Sequence, residues 1–306
     1  MSFRVDEIRV KSSDKIHTLS GVAYIPDGEI KGLLHIVHGM TEYIGRYSDI
    51  MSYAAERGYL CFGYDNLGHG KTANDDSELG FIAHKDGWKH LVDDTYLFEQ
   101  HMKELYPDKK LYVFGHSMGS FIVRLSAQKY GDTYSKLIVC GTGGPNPATN
   151  MGLGVINTVK AIKGEKHISI LVLLLAFGSY NKKVDKSSGT NWLTKDKAMI
   201  EKYANDKYCT FLFTVSAMHD LITLNKKCNS KEWFSSIRKD LPIFLISGTE
   251  DPVGNYGKGV KKVFAKLKEA GVRDVTLKLY ENGRHEILND TCRQEVKEDI
   301  IKFLEK

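Results

Sequence analysis

The stretch "LYVFGHSMGS" at residues 111–120 decides how this chain folds, because a β-favouring run passes through a G-x-S-x-G pattern directly into a helical one. Gly115 and Gly119 lie two positions on either side of Ser117, and glycines let a strand and a helix approach closely. A reversal this sharp holds the serine backbone in a sparsely populated conformation and exposes its hydroxyl. We therefore predict a strand-to-helix corner that presents Ser117 as a nucleophile.

Strand and helix patterns alternate on both sides of this corner, over residues 33–143. Such alternation is typical of an α/β protein with a doubly wound, mostly parallel sheet. Residues 3–10 alternate in polarity as a strand does, and residues 20–26 can pair with them. They predict a hairpin that precedes the parallel strands.

A long segment interrupts the alternation. Residues 145–236 show only helical or irregular patterns, and strand patterns return at "LPIFLISG", residues 241–248. The simplest arrangement is one sheet domain, residues 1–144 and 237–306, with residues 145–236 inserted above the C-terminal ends of its strands.

The composition is that of an ordinary globular protein, with 306 residues, 42% hydrophobic residues and a formal net charge of +5. The lysines are scattered, and no segment resembles a nucleic-acid module, so we expect no nucleic-acid partner. Five cysteines without a C-x-x-C pattern argue against a metal site. The charged, alternating start is unlike a signal peptide, so we expect a cytoplasmic protein. The longest apolar run, residues 168–178, is too short to cross a bilayer as a helix.

A serine nucleophile needs a general base, and the base needs a carboxylate to orient it. Asp251 follows the strand pattern "LPIFLISG", and His285 follows the next one, "VTLKLYE". The chain order Ser117, Asp251, His285 is the one that this architecture uses. We predict these three as the catalytic residues; the neighbouring Glu250 is the alternative acid. His116 is interpreted as a local hydrogen-bonding residue.

The oxyanion of an acyl-transfer intermediate needs two hydrogen-bond donors. One strand pattern ends at "HIVHGM", residues 35–40, and in this architecture the loop after it supplies one donor. We assign the two donors to the backbone N–H groups of Met40 and Met118. Each such donor contributes about 3 kcal/mol to transition-state stabilisation. His69 is interpreted, like His116, as a residue with a local hydrogen-bonding role.

Five motifs in the chain resemble, in order, those of the α/β-hydrolase superfamily, and within it the monoacylglycerol lipase and lysophospholipase-like branch. They are "HGMTEYIGRY", "YDNLGHGKT", "GHSMGS", "SGTEDPVG" and "YENGRHEILND". Three positions depart from the pattern of that branch: Tyr43 stands where histidine is frequent, Thr72 replaces serine, and Ser120 replaces glycine. We expect Glu42, Arg46 and Asp65 to hold the oxyanion loop through hydrogen bonds and ion pairs.

The resemblance implies that residues 145–236 form a cap over Ser117. It also implies a serine hydrolase that cleaves a lipid monoester such as a monoacylglycerol, without cofactor or metal. A lysophospholipase and a short-chain carboxylesterase remain alternatives, as does a non-catalytic binding protein on the same fold. The oligomeric state is left open.

The run "ISILVLLLAFG", residues 168–178, is apolar on every helical face. It suits a core helix, or the wall of an acyl tunnel that also contacts a membrane or micelle surface. We predict that five apolar residues of the insertion contact the substrate: Leu173, Leu174, Phe177, Trp192 and Phe211.

Overall fold

The computed structural model describes residues 2–184 and 189–306. Within these residues, eight strands form a single sheet: β1 (Phe3–Lys11), β2 (Thr18–Pro26), β3 (Gly32–Val37), β4 (Tyr59–Tyr64), β5 (Leu111–His116), β6 (Tyr134–Cys140), β7 (Ile243–Gly248) and β8 (Val275–Tyr280). Their spatial order is β1-β2-β4-β3-β5-β6-β7-β8. The pairs from β4 to β8 are parallel, whereas β1 with β2 and β2 with β4 are antiparallel. Both the doubly wound sheet and the hairpin that precedes it are confirmed.

The same part of the chain contains ten α-helices. They are α1 (Ser48–Ala55), α2 (Gly87–Leu105), α3 (Met118–Tyr130), α4 (Thr149–Lys163), α5 (Ile170–Phe177), α6 (Lys197–Ala204), α7 (Val215–Cys228), α8 (Lys231–Ser236), α9 (Lys258–Glu269) and α10 (Arg293–Glu305).

Helices cover both faces of the sheet. Residues of α1 and α10 pack into one buried apolar cluster, and residues of α2, α3 and α9 pack into a second cluster on the opposite face. Strands β3, β4, β5 and β7 are consequently buried at every position. This double coverage is why their sequences read as continuous apolar runs rather than as alternating ones.

The described residues of the predicted insertion form helices, turns and irregular connections, without a strand; its residues 185–188 lie outside the described part of the chain. The last two helices of the insertion share the core of the sheet domain, since α7 packs against α2 and α3 and α8 packs against α3. Trp233 on α8 is 1% exposed, and its indole N–H donates to the carbonyl oxygen of Arg124 at 2.7 Å. The division of the chain into a sheet domain and a cap therefore stays a prediction.

Helix α5 is the apolar run that the sequence singles out. It begins at Ile170, and only Val172 within it is buried. Leu171, Leu174 and Leu175 are 58%, 63% and 67% exposed, so the helix is not a core helix. Among the described residues, no helix combines the length and the apolar character needed to cross a bilayer.

Candidate active site

Ser117 lies between β5 and α3, with φ of 53° and ψ of −119°. This backbone conformation is strained for a residue with a side chain. A Cβ on Gly119 would lie 2.1 Å from the carbonyl oxygen of Val37, and one on Gly115 would lie 2.4 Å from that of Gly119. Only glycine fits at either position. The predicted corner is confirmed, and the nucleophilic role of Ser117 stays a prediction.

Asp251 and His285 form a buried pair at the adjacent strand ends. His285 Nδ1 lies 3.0 Å from Asp251 Oδ1, and the two residues are 2% and 0% exposed. Asp251 also accepts hydrogen bonds from Ser247 Oγ and from the backbone N–H of Val253, each at 2.8 Å. Burial alone would raise the pKa of Asp251, but the charge and hydrogen bond of His285, with these two donors, lower it overall. Asp251 is therefore an ionised carboxylate that orients the imidazole.

The His285 ring lies beside the serine corner. Its centroid is 4.7 Å from that of His116, the residue that precedes Ser117. Gly141, at the end of β6, leaves the space for both rings, since a Cβ there would lie 3.1 Å from His285 Cε1. The strand ends thus bring together the three residues that the sequence assigns to catalysis.

Glu250, the alternative acid, pairs with basic side chains instead of His285. Its carboxylate lies 2.8 Å from Lys195 Nζ and 3.7 Å from Arg284 Nε, and it is about one-third exposed. The carboxylate bonded to His285 is that of Asp251.

The loop after β3 brings Gly39, the residue before Met40, close to Ser117. A Cβ on Gly39 would lie 3.0 Å from Ser117 Cβ. Gly39 N–H donates to Glu42 Oε1 at 2.6 Å, and Thr41 N–H donates to His69 Nε2 at 3.3 Å. Between them, Met40 N–H has no acceptor among the described residues. Met118 is the first residue of α3, where amides lack helical partners. The oxyanion role of both amides stays a prediction.

A buried ionic network supports this loop. Arg46 lies 3.0 Å from Glu42 Oε2 and donates to both carboxylate oxygens of Glu286, at 2.7 and 2.6 Å. Asp65 accepts from the backbone N–H of Ile44 at 2.9 Å. The expected hydrogen bonds and ion pairs of Glu42, Arg46 and Asp65 at the loop after β3 are confirmed, and the oxyanion role of that loop stays a prediction.

The two interpreted histidines have the expected local roles. His69 Nδ1 donates to the carbonyl oxygen of Leu67 at 2.9 Å, which leaves Nε2 to accept from Thr41. His116 lies between Glu42 Oε1, at 3.1 Å, and the backbone oxygen of His285, at 3.2 Å. Burial alone would lower the pKa of His116, but its hydrogen bond to Glu42 and the charge of that residue raise it.

Aromatic residues of the insertion lead from His285 toward α5. The Trp192 ring lies 5.1 Å from the His285 ring, Tyr180 lies 5.0 Å from Trp192, and Phe177 lies 5.6 Å from Tyr180. These three rings, Phe177, Tyr180 and Trp192, are called the aromatic line below. Tyr180 is a member that the sequence did not single out.

The other predicted substrate-contacting residues lie elsewhere. Phe211 contacts the His69 ring edge-on, with centroids 5.3 Å apart. Leu173 is half-buried against the main core, and Leu174 lies on the exposed side of α5. Their predicted contact with substrate stays a prediction.

Two residues at the site were missed at the sequence level. Glu286 directly follows His285, and its acidic character beside the predicted base was an available signal. Tyr203, on α6, hydrogen-bonds to Thr41 of the oxyanion loop across 162 positions of sequence, and no local pattern announces such a contact. The described residues contain no cluster of histidine, cysteine or acidic side chains suited to a metal ion.

One family and several known proteins are similar to this chain. The sequence matches the family described as serine aminopeptidase, S33, over residues 28–292. It is 23% identical to a monoacylglycerol lipase of Mycolicibacterium smegmatis, with 96% of this chain and 98% of that protein covered. It is also 23% identical to a monoglyceride lipase of Rattus norvegicus, with 85% and 77% covered. The solved structure of a highly thermostable carboxyl esterase from Bacillus coagulans, in complex with glycerol, is 30% identical, has a TM-score of 0.91 and covers 98% of each chain.

Proposed function

The chain belongs to the serine aminopeptidase S33 family and is a lipase-like ester hydrolase of the α/β-hydrolase fold; we propose that it cleaves monoacylglycerol-type lipids through an acyl-enzyme on Ser117. One observation carries this proposal. The buried pair of Asp251 and His285 lies beside the Ser117 corner, which Gly39, the residue before Met40, also approaches.

In the first half of the proposed reaction, Ser117 Oγ attacks the ester carbonyl carbon while His285 Nε2 takes the hydroxyl proton. The carbonyl electron pair moves onto oxygen, and the backbone N–H groups of Met40 and Met118 bind the resulting oxyanion. The tetrahedral intermediate collapses to the acyl-enzyme as His285 gives its proton to the departing alcohol. Asp251 remains ionised throughout and stabilises the imidazolium.

In the second half, a water molecule attacks the acyl carbon while the same imidazole takes its proton. The second tetrahedral intermediate expels Ser117 Oγ, which regains its proton from His285, and the fatty acid leaves. The reaction consumes one water and needs no other reactant.

The insertion supports a lipid ester as substrate. The aromatic line begins against His285 and ends on α5. An acyl chain that extends from the reaction centre along these rings would have its apolar surface removed from water. Each methylene buried in this way contributes about 0.8 kcal/mol. Two relatives are named as monoacylglycerol or monoglyceride lipases, and the similar esterase was solved with glycerol, the alcohol that such a lipid would release.

A short-chain carboxylesterase is the second candidate, favoured by the name of the 30% identical Bacillus coagulans protein. A lysophospholipase would differ only in the head group. Chain-length dependence separates the short-chain esterase from the two lipid hydrolases, because only an enzyme that uses an acyl tunnel gains catalytic efficiency with each added methylene. Preference for a glycerol or a phospholipid head group separates the two lipid hydrolases.

We further propose that the insertion rests against lipid surfaces. Large exposed apolar side chains concentrate on α4, α5 and the connection between them: Met151, Ile162, Ile168, Ile170, Leu171, Leu174 and Leu175. We call these seven residues the apolar surface of the insertion. Exposed lysines at positions 163, 166, 182 and 183 border it in sequence. An apolar face bordered by lysines matches an anionic lipid surface.

A fluorophosphonate probe and a substrate panel test the proposed function. The probe should label Ser117, and the panel should include monoacylglycerols of increasing chain length, a lysophospholipid, p-nitrophenyl acetate and an aminoacyl anilide. We expect catalytic efficiency to rise with acyl length and monoacylglycerols to be the best substrates. No labelling and no turnover would favour the non-catalytic binding protein, and turnover of the anilide alone would favour a peptidase.

A further inference from the structure

Thr41 follows Met40 in the oxyanion loop and has φ of 52°. A β-branched side chain makes this left-handed backbone unfavourable, so surrounding contacts must hold it. The orientation of the Met40 amide depends on how firmly the residues on both sides of it are fixed.

Among the contacts that fix these neighbours are three sets of hydrogen bonds from other side chains. Glu42 holds Gly39 N–H, and His69 holds Thr41 N–H; both of these partners belong to the sheet domain. The third comes from the insertion. The Tyr203 hydroxyl donates to the carbonyl oxygen of Thr41 at 3.0 Å and lies 2.8 Å from Thr41 Oγ1.

Tyr203 is itself well fixed. Its ring lies 4.8 Å from the guanidinium of Arg46, the residue that joins Glu42 to Glu286, and it is 9% exposed. The hydroxyl therefore reaches Thr41 from a rigid platform and not from a mobile surface side chain.

We propose that Tyr203 is a positioning residue of the oxyanion hole, because its hydroxyl fixes the strained backbone of Thr41 and thereby aims the Met40 N–H. This inference rests on the proposed function of Met40 and Ser117. It implies that α6 stays docked during turnover.

A purely structural role for Tyr203 makes a different prediction, and the chain offers a matched control. The Tyr43 hydroxyl also joins the oxyanion loop to the insertion, donating to Asp206 Oδ2 at 2.9 Å. The Tyr43 hydroxyl thus bonds to a side chain of the insertion, whereas the Tyr203 hydroxyl bonds to the backbone of the loop. Removing either hydroxyl loosens the docking of the insertion, but only removal of the Tyr203 hydroxyl frees Thr41.

The experiment compares Tyr203→Phe with Tyr43→Phe on p-nitrophenyl acetate, a substrate that needs no acyl tunnel. We expect Tyr203→Phe to lower kcat about tenfold, which is less than the loss of an entire oxyanion donor, and to change KM by less than about twofold. A trifluoromethyl ketone, whose adduct with serine places an oxyanion in the same hole, should bind more weakly by the same factor. Tyr43→Phe should change kcat and inhibitor affinity by less than about twofold.

Each result has one meaning. Equal effects of the two variants, or a Tyr203→Phe loss confined to KM, would overturn the positioning role. A wild-type protein that neither reacts with fluorophosphonate nor hydrolyses the ester would overturn the proposed function, and this inference with it. The assays are run well below the melting temperature of both variants, so that a change in kcat does not reflect a smaller folded fraction.

Discussion

His116 Nε2 donates a hydrogen bond to the backbone carbonyl oxygen of His285 at 3.2 Å. Its other ring nitrogen lies 3.1 Å from Glu42 Oε1, so both nitrogens face oxygen acceptors, as in a protonated imidazole. Glu42 also accepts from Gly39 N–H. The serine corner, the loop that carries His285 and the loop after β3 are thus joined through one imidazole and one carboxylate.

Ser117→Ala should lower ester turnover by at least about 10⁴-fold, because the variant lacks the hydroxyl on which we propose that the acyl-enzyme forms. Its melting temperature should stay close to that of the wild type. The matched control is Ser126→Ala on the same helix, whose hydroxyl bonds to Tyr134 in the core. This control should lose some stability and keep its turnover. Mass spectrometry of fluorophosphonate-treated wild type checks the assignment, and a label on any other serine would contradict it.

Asp251→Asn should lower kcat by several orders of magnitude, because the amide can no longer orient and stabilise the His285 imidazolium. Glu250→Gln should change kcat by less than about threefold, since Glu250 pairs with Lys195 and Arg284 near the surface. Steady-state kinetics with p-nitrophenyl acetate compare the two variants. The opposite ranking would move the acid to Glu250.

Leu174→Asp should weaken binding to vesicles that contain anionic lipid and lower turnover of emulsified long-chain monoacylglycerol about tenfold. Turnover of p-nitrophenyl acetate should not change, because Leu174 is 63% exposed and an acetyl group needs no contact with α5. The control is Leu105→Asp, at the end of α2, where the leucine is 58% exposed. Vesicle co-sedimentation and the two assays provide the comparison. Equal losses for both variants would contradict docking through α5.

Asp220 predicts a pH dependence of stability. Burial raises its pKa to about 7, although a hydrogen bond from the Trp88 backbone opposes this shift. The folded state therefore holds this proton when the unfolded chain has already lost it. The stability from Asp220 is complete below about pH 4 and is lost as pH rises toward 7, by at most about 1.4 kcal/mol per pH unit.

Asp220→Asn should consequently gain stability relative to the wild type between pH 5 and 7, as measured by urea denaturation, with a constant difference at higher pH. Asp132→Asn, at an exposed position, is the control and should follow the wild type. A wild type and an Asp220→Asn variant with parallel pH profiles would show that Asp220 titrates normally.

Sequence reasoning reached the sheet and the corner because both depend on local signals. The alternation of strand and helix patterns defines a parallel sheet, and the steric need for Gly115 and Gly119 leaves a visible motif. The contact between Asp251 and His285 could be predicted because parallel strands end at one edge of the sheet, where residues far apart in sequence meet.

The contacts of the insertion could not be predicted from such local signals. Helical periodicity shows which residues share a face, but not what that face meets. Tyr203 bonds to Thr41 and Trp192 lies against His285 through long-range packing that no repeat encodes. For the same reason, an apolar run such as α5 could not be divided into core and surface from sequence alone.

The buried bridge from Glu42 through Arg46 to Glu286 has a consequence for heat tolerance. Water solvates charges less favourably as temperature rises, so the desolvation free energy of these three buried groups falls on heating. The connection between the oxyanion loop and the loop of the base should therefore be among the last parts of the molecule to loosen. Thermal inactivation should coincide with global unfolding rather than precede it, and parallel melts followed by activity and by circular dichroism would reveal any earlier loss.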